Sequence, residues 1–334
     1  MKKPYYIIEV ANTHGGDIDY ILELIKQFEF VNENCGIKFQ CFHSDMISLP
    51  DFRSYKIYQE FFFSEEQWET IINEAYKTKD IWIDIFDVYG LKIFKNNFDK
   101  IKGIKFQSSV LNNYEVLNNL SEMRMLNKKL ILNIAAKTIE EIKFILSEIK
   151  EKIEPEEIFL EFGYQAFPTK LSDCGLSKIK LLRENFNNKL VFADHVDGKS
   201  ENAIYLPAIA SMLEIEIIEK HVMVKSKETK YDFNSSLDPS GFKKMINKVN
   251  EYSNLFNEPF INKDELKYLE KTIMKPVLNK NLKKGSILSL EKDFIFRRTS
   301  QSGLNVFEIK NLIHKKMILG KDVHSGNTLK TQDI

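Results

Sequence analysis

The chain has 334 residues, 43% of them apolar, and its 48 Lys and Arg are matched by 48 Asp and Glu. That balance excludes a global basic field for gathering nucleic acid or anionic lipid, so the expected partners are small molecules. No apolar run approaches the roughly 18 residues of a membrane span, and Glu9 interrupts the opening apolar stretch too early for a secretory leader, so a cytoplasmic protein is expected.

The length predicts one large domain and a smaller one. Strand-like runs rich in Ile, Val and Phe are predicted at residues 5–12, 36–40, 81–86, 103–108, 129–135, 157–164, 189–195 and 215–222. Segments of helical period lie between them, among them 64–77, 138–150, 176–184 and 201–213, followed by a long helix near 239–256. The first opens Ser64-Glu-Glu-Gln67, the signature of a capping box. Such alternation predicts parallel strands joined by helices, and eight units over about 255 residues fit a (β/α)8 barrel. An open doubly wound sheet is the alternative. Residues 257–275 read as a linker whose 264–271 portion has helical character, and 276–334 read as a small β-rich domain broken at Gly285, Gly303 and Gly326. Cys35, Cys41 and Cys174 are odd in number and lack C-x-x-C spacing, so they are expected to be reduced and structural.

Nearly every predicted strand ends in polar residues, and in a barrel those ends share one face, where barrel enzymes keep their chemistry. His195 and His221 close the seventh and eighth strands, which a barrel makes neighbours. Two imidazoles there suit a divalent metal of unspecified identity, with Asp194 and Glu219 beside them as acceptors that could orient the rings. The alternative is that each imidazole only hydrogen-bonds within the rim. Lys38 and Lys105 end two more strands, with Ser108 and Asn133 nearby, a set able to hold a phosphate or carboxylate unless the lysines instead pair with Glu9 and Asp84. No G-x-G-x-x-G, Walker or G-x-S-x-G pattern occurs.

Seven motifs in order give a resemblance to a known family. Ile7-Ile8-Glu9-Val10-Ala11-Asn12-Thr13-His14-Gly15-Gly16 resembles the A-E-I-G-x-N-H-x-G of the sialic acid synthase family, and Ile37-Lys38-Phe39-Gln40 its V-K-F-Q. Lys105-Phe106-Gln107-Ser108 stands where that family has K-I-x-S, Phe167-Pro168-Thr169 where it has Y-P-T, and Ala193-Asp194-His195 where it has S-D-H. Glu219-Lys220-His221 resembles E-K-H, and Asp232 with Ser236-Leu237-Asp238-Pro239 resembles D-x-x-x-S-L-x-P. Leu282-Lys283-Lys284-Gly285, Arg297-Arg298 and Leu319-Gly320-Lys321 resemble the family's C-terminal antifreeze-like domain.

The resemblance implies a (β/α)8 barrel at 1–256, a linker at 257–275 and an antifreeze-like (SAF) domain at 276–334. It implies condensation of phosphoenolpyruvate with an N-acyl hexosamine, of the mannosamine or 6-deoxy diamino type, to give a sialic-acid-like nonulosonic acid and phosphate. His195 and His221 would hold the metal, manganese first and magnesium or cobalt next. Lys38, Lys105, Ser108, Asn133, Gln165 and Phe167 would bind phosphoenolpyruvate. Glu9, Asp232 and Arg298 would meet the sugar, with Glu9 also the first choice for proton handling, in a domain-swapped homodimer. Thr13, Asp84, Asn133 and Phe167 depart from the family pattern, and an acidic Asp84 would repel a bound anion unless protonated or turned toward a lysine. Competing readings are a related synthase joining phosphoenolpyruvate to another aldose, and a non-catalytic sugar-binding paralogue in a surface-glycan pathway.

Overall fold

The structure is a computed structural model that describes residues 3–123, 125, 127–225, 227–256 and 259–334. The chain divides into two compact units, Met1–Asn257 and Glu258–Ile334.

The first unit is a closed barrel of eight parallel strands in sequential order. These are β1 (Tyr5–Glu9), β2 (Cys35–Cys41), β3 (Asp80–Ile85), β4 (Ile101–Phe106), β5 (Lys129–Asn133), β6 (Glu157–Phe162), β7 (Lys189–Asp194) and β8 (Ile217–His221). Closure is made by β1, which pairs with β2 on one side and β8 on the other. Parallel neighbours need crossovers, and helices covering the outer face bury both sides of every strand, so the strands read as near-continuous apolar runs. Most strands end a residue or more earlier than their polar tips suggested, and in three of them a backbone turn accounts for it. β1 stops at Glu9 because Ala11 turns the chain at φ +48°, β5 stops short of Ala136 at φ +57°, and β6 ends before Gly163 at φ +141°.

The inside of the barrel is layered. Its floor is apolar, made by Ile7, Trp82, Ile131, Phe159, Val191 and Ile217. Trp82 fits because its neighbours lack side chains: a Cβ on Gly36 would lie 2.6 Å from its ring, and one on Gly103 2.5 Å. Its indole N–H donates to Tyr5 Oη at 3.1 Å. Outside the strands, the helices pack their apolar faces into one continuous core.

The expected capping box closes helix Glu65–Tyr76: the Ser64 hydroxyl accepts from the Gln67 N–H, and the Gln67 side chain accepts from the Ser64 N–H. Such a cap contributes about 1 kcal/mol. Asp238 caps helix Pro239–Ser253, whose first residue is proline, where the missing N–H costs nothing.

In the second unit, the helical character expected at 264–271 forms helix Lys263–Thr272, whereas the start of the expected linker at 257 lies outside the described residues. Beyond it, β9 (Lys275–Leu278) pairs antiparallel with β10 (Phe294–Arg297). The remaining short runs are joined by isolated bridges, such as Leu282 with Val323 and Ile287 with Ile318, and by single backbone hydrogen bonds, such as the Leu304 N–H to the Leu329 carbonyl. A nine-residue helix, Val306–His314, completes the unit over a small core of Leu278, Leu288, Phe294, Ile309, Leu319 and Val323. Strand structure is therefore sparser than the turn-rich sequence suggested.

Candidate active site

Two residues beyond the apolar floor, most of the same inward positions become polar or charged. β1 supplies Glu9, β2 Lys38, β3 Asp84, β4 Lys105, β5 Asn133, β6 Glu161 and β8 Glu219, all of them buried. The register sets these side by side, with Glu9 paired to Lys38, Asp84 to Lys105 and Asn133 to Glu161. The Lys38 ammonium lies 2.6 Å from Glu9, 2.9 Å from Asp84 and 3.0 Å from Glu219. The Lys105 ammonium lies 2.6 Å from Glu161 and 2.7 Å from the same Glu219 oxygen. Two cations are thus shared among four carboxylates, which is the lysine–carboxylate pairing weighed from the sequence, extended by two further acids.

Burial sets the protonation of this layer. Burial raises Glu9 above the usual carboxylate range, reinforced by Glu219 and Asp84 against the pull of Lys38. Glu161 is raised by burial and by Glu219, against Lys105. Burial acts the same way on Glu219, but there Lys105 and Lys38 outweigh it and hold the group low. For Lys38 the cost of burial is likewise outweighed, by Asp84, Glu219 and Glu9, so it stays firmly charged.

The two imidazoles meet as expected. His195 and His221 approach edge to face, with ring centroids 4.8 Å apart. Burial lowers both to about 3, helped for His195 by its neighbour and opposed for His221 by Glu219, so both rings are neutral at physiological pH. Neutral imidazole is the form that ligates a metal. Asp194 does not orient His195: its carboxylate accepts from Lys220 Nζ at 2.8 Å and from the Val196 N–H at 3.0 Å. Glu219 is held by the lysines, and His221 Nδ1 instead lies 3.1 Å from Ser235 Oγ. His195 Nδ1 is buried without a hydrogen-bond partner. Among the described residues no group of three or more His, Cys, Asp and Glu side chains is arranged around one ion. The residues therefore fit a two-imidazole site whose other positions are filled from outside the chain.

Around this centre, Asp232 Oδ2 accepts from the Asn12 N–H at 3.0 Å. Gln40 bridges Asn12 and Glu9, and Gln107 donates to Asp84 at 3.0 Å. Ser108 donates its hydroxyl to the Ala135 carbonyl at 2.6 Å, while Gln165 and Phe167 lie exposed on the loop after β6. Arg298, in the second unit, donates through Nε to the Thr272 carbonyl at 2.8 Å. Glu161 was not anticipated. Its signal was available: like Lys38 in Gly-Ile-Lys-Phe and Glu219 in Ile-Ile-Glu-Lys, it is a charged residue inside an apolar strand, Ile-Phe-Leu-Glu-Phe. Buried polar atoms lacking a partner gather here, including Asn12 Oδ1, Asp84 Oδ1, Glu161 Oε2 and Glu219 Oε2. Native structures rarely leave such groups unsatisfied, so their concentration at one mouth marks a place built for a polar ligand.

Fold and site together define a (β/α)8 barrel with an ionised mouth and a pair of neutral imidazoles. The chain belongs to the NeuB family, which matches residues 27–259. It is similar to pseudaminic acid synthase of Campylobacter jejuni, 27% identical over 99% of this chain and 97% of that one. N,N'-diacetyllegionaminic acid synthase of Legionella pneumophila is 21% identical over 97% of this chain and 93% of that protein. Among solved structures, N-acetylneuraminic acid synthetase of Leptospira borgpetersenii, in complex with citrate, shares the fold with a TM-score of 0.68, 21% identity, and coverage of 80% of this chain and 92% of that one.

Proposed function

We propose that this chain condenses phosphoenolpyruvate with an N-acyl hexosamine to form a nonulosonic acid and phosphate. The observation that carries the reading is the buried mouth, where two ammonium groups, two neutral imidazoles and several unsatisfied oxygens face one another in a chain of this family.

The enol carbon of phosphoenolpyruvate bonds to the aldehyde carbon of the open-chain sugar, whose oxygen takes a proton and becomes a hydroxyl. Water adds at the pyruvyl carbon, and the bond from that carbon to the phosphate oxygen breaks, leaving a 2-keto acid and inorganic phosphate. Lys38 and Lys105 supply the charge that holds the phosphoenolpyruvate anion, with Asn133 beside them for hydrogen bonding. Ser108, Gln165 and Phe167 complete that half, and Asp232 and Arg298 are assigned to the sugar. Glu9, raised by burial to about 7 and so protonated in part near neutrality, can supply the proton that the aldehyde oxygen needs. A divalent ion held by His195 and His221, manganese first and magnesium or cobalt next, would polarise the aldehyde as a Lewis acid.

The partner we propose is a second copy of the chain, joined through the C-terminal unit, which we assign as an antifreeze-like domain over 276–334. Helix Lys263–Thr272 buries none of its residues, and Phe260, Ile261, Tyr268 and Met274 around it are exposed, as a surface awaiting a partner would be. No helix among the described residues is long and apolar enough to cross a membrane. A panel of hexosamines tested for phosphate release from phosphoenolpyruvate with manganese checks the reaction. Release that depends on one N-acyl hexosamine is expected; no release with any acceptor, from folded protein, would favour a sugar-binding paralogue.

A further inference from the structure

The inner layer of the mouth has a charge problem that the proposed reaction makes sharper. Four carboxylates face two ammonium groups, so with every acid ionised the layer is in excess by two negative charges before any substrate arrives. A phosphoenolpyruvate anion entering there adds more. Lys105 meets that anion usefully only where its charge is not already neutralised by the acids it touches. Those acids are Glu161 and Glu219. Glu219 also holds Lys38, so its charge is fixed by two cations at once. Among the described residues Glu161 makes a direct ion pair with Lys105 alone, Lys38 acting on it only from farther off.

The placement of Glu161 is built, not incidental. It is fully buried on β6, its Oε1 accepts from Asn133 Nδ2 at 2.7 Å and contacts Lys105, and its Oε2 has no donor to accept from. An oxygen with no donor facing it is where a proton can reside without losing a hydrogen bond. The charged groups acting on it from the surrounding strands are Lys105 of β4, Lys38 of β2 and Glu219 of β8, while its β5 neighbour Asn133 is neutral and Asp194 of β7 is engaged with Lys220.

We propose that Glu161 is a positioning residue that couples anion binding to protonation: as the neutral acid it holds Lys105 and Asn133 in place and leaves the Lys105 charge to the substrate, and as the carboxylate it cancels that charge. Burial, which favours the neutral form of Glu161, acts in the same direction. The inference rests on the phosphoenolpyruvate reading and assigns a role to a residue outside the motifs that suggested it.

Calorimetric titration of the full chain with phosphoenolpyruvate, in buffers of different ionisation enthalpy, counts the protons taken up on binding. The parent is expected to take up a fraction of a proton that grows from about pH 7 to about pH 9. Glu161→Gln, which keeps the shape and the hydrogen bonds of the neutral acid, is expected to lose most of that uptake. Its affinity should be within about threefold of the parent near pH 6.5 and about tenfold tighter near pH 9. Glu161→Met, tested alongside, should also lose the uptake, since it cannot carry the charge. A purely structural role would change affinity equally at both pH values. Parent-like uptake with parent-like affinity near pH 9 in a folded Glu161→Gln protein overturns the inference alone. Absence of phosphoenolpyruvate binding to the parent overturns it together with the proposed function.

Discussion

Replacing Lys38 by methionine tests the ionic layer most severely. The ammonium is fully buried and within 3.0 Å of three carboxylates, so Lys38→Met keeps the bulk of the chain but leaves Glu9, Asp84 and part of Glu219 without their cation. Breaking a buried pair from one side costs about 3–5 kcal/mol, because the remaining charge is uncompensated. The acids respond by binding protons: Glu9, already raised by burial, moves further above the unfolded value of about 4.3, and Glu219 loses one of the two cations that hold it low. The variant's native state then holds more protons than its unfolded state, and its stability falls as pH rises through that window. Near pH 8 the full loss of about 3–5 kcal/mol is expected, and it should shrink by about 1.4 kcal/mol per pH unit for each such proton on acidification toward about pH 5. Both tryptophans, Trp68 and Trp82, are buried in the barrel unit, so intrinsic fluorescence during urea unfolding follows the barrel without the second unit. A loss below about 1 kcal/mol, or one that is the same at both pH values, would refute the reasoning.

Three further outcomes are expected. His195→Ala and His221→Ala should each lose manganese binding, measured by equilibrium dialysis, and lose turnover, because two imidazoles are the donors the site offers; full activity in either rejects the assignment. Gly16→Ala should destabilise the barrel by about 2 kcal/mol or more in the same fluorescence assay, since Gly16 sits at φ +84° and an added Cβ would lie 1.9 Å from the Glu60 carbonyl oxygen. His14, lowered by burial from 6.5 to about 4, should make stability drop as pH falls from about 6.5 toward 4, by about 3 kcal/mol in all, because the unfolded chain takes up the proton first. A His14→Gln variant should flatten that part of the stability–pH curve, and an unchanged slope would show that other groups cause it.

The barrel was legible because its periodicity is written in long stretches: eight apolar runs and the helices between them appear in the structure in the predicted order. Strand ends were harder. The sequence of β6 runs on into Gly163-Tyr164-Gln165, and nothing short of a backbone angle reveals that Gly163 turns the chain away at φ +141°. Gln165, which the family resemblance singles out, lies exposed on the loop beyond that turn, whereas Glu161, inside the strand, faces the lysines. The pairing of charges was legible only in part. Lys38 with Glu9 and Asp84 could be weighed because the strands were expected to neighbour one another, but Glu219 spans the barrel to reach both lysines, a contact across the lumen that strand order does not give. Nor could the sequence show that Asp194 turns to Lys220, leaving His195 Nδ1 unpartnered. In the second unit, weak turn-and-run patterning overstated the strands, because isolated bridges and extended strands share the same residue preferences.

The central claim is that a carbon–carbon bond joins the three-carbon unit of phosphoenolpyruvate to an amino sugar. Mass spectrometry of the products formed from carbon-13-labelled phosphoenolpyruvate and the accepted N-acyl hexosamine tests it directly. A 2-keto acid carrying all three labelled carbons on the sugar skeleton, formed in equal amount with phosphate, is the predicted result. Labelled pyruvate and phosphate with the sugar unchanged would contradict it.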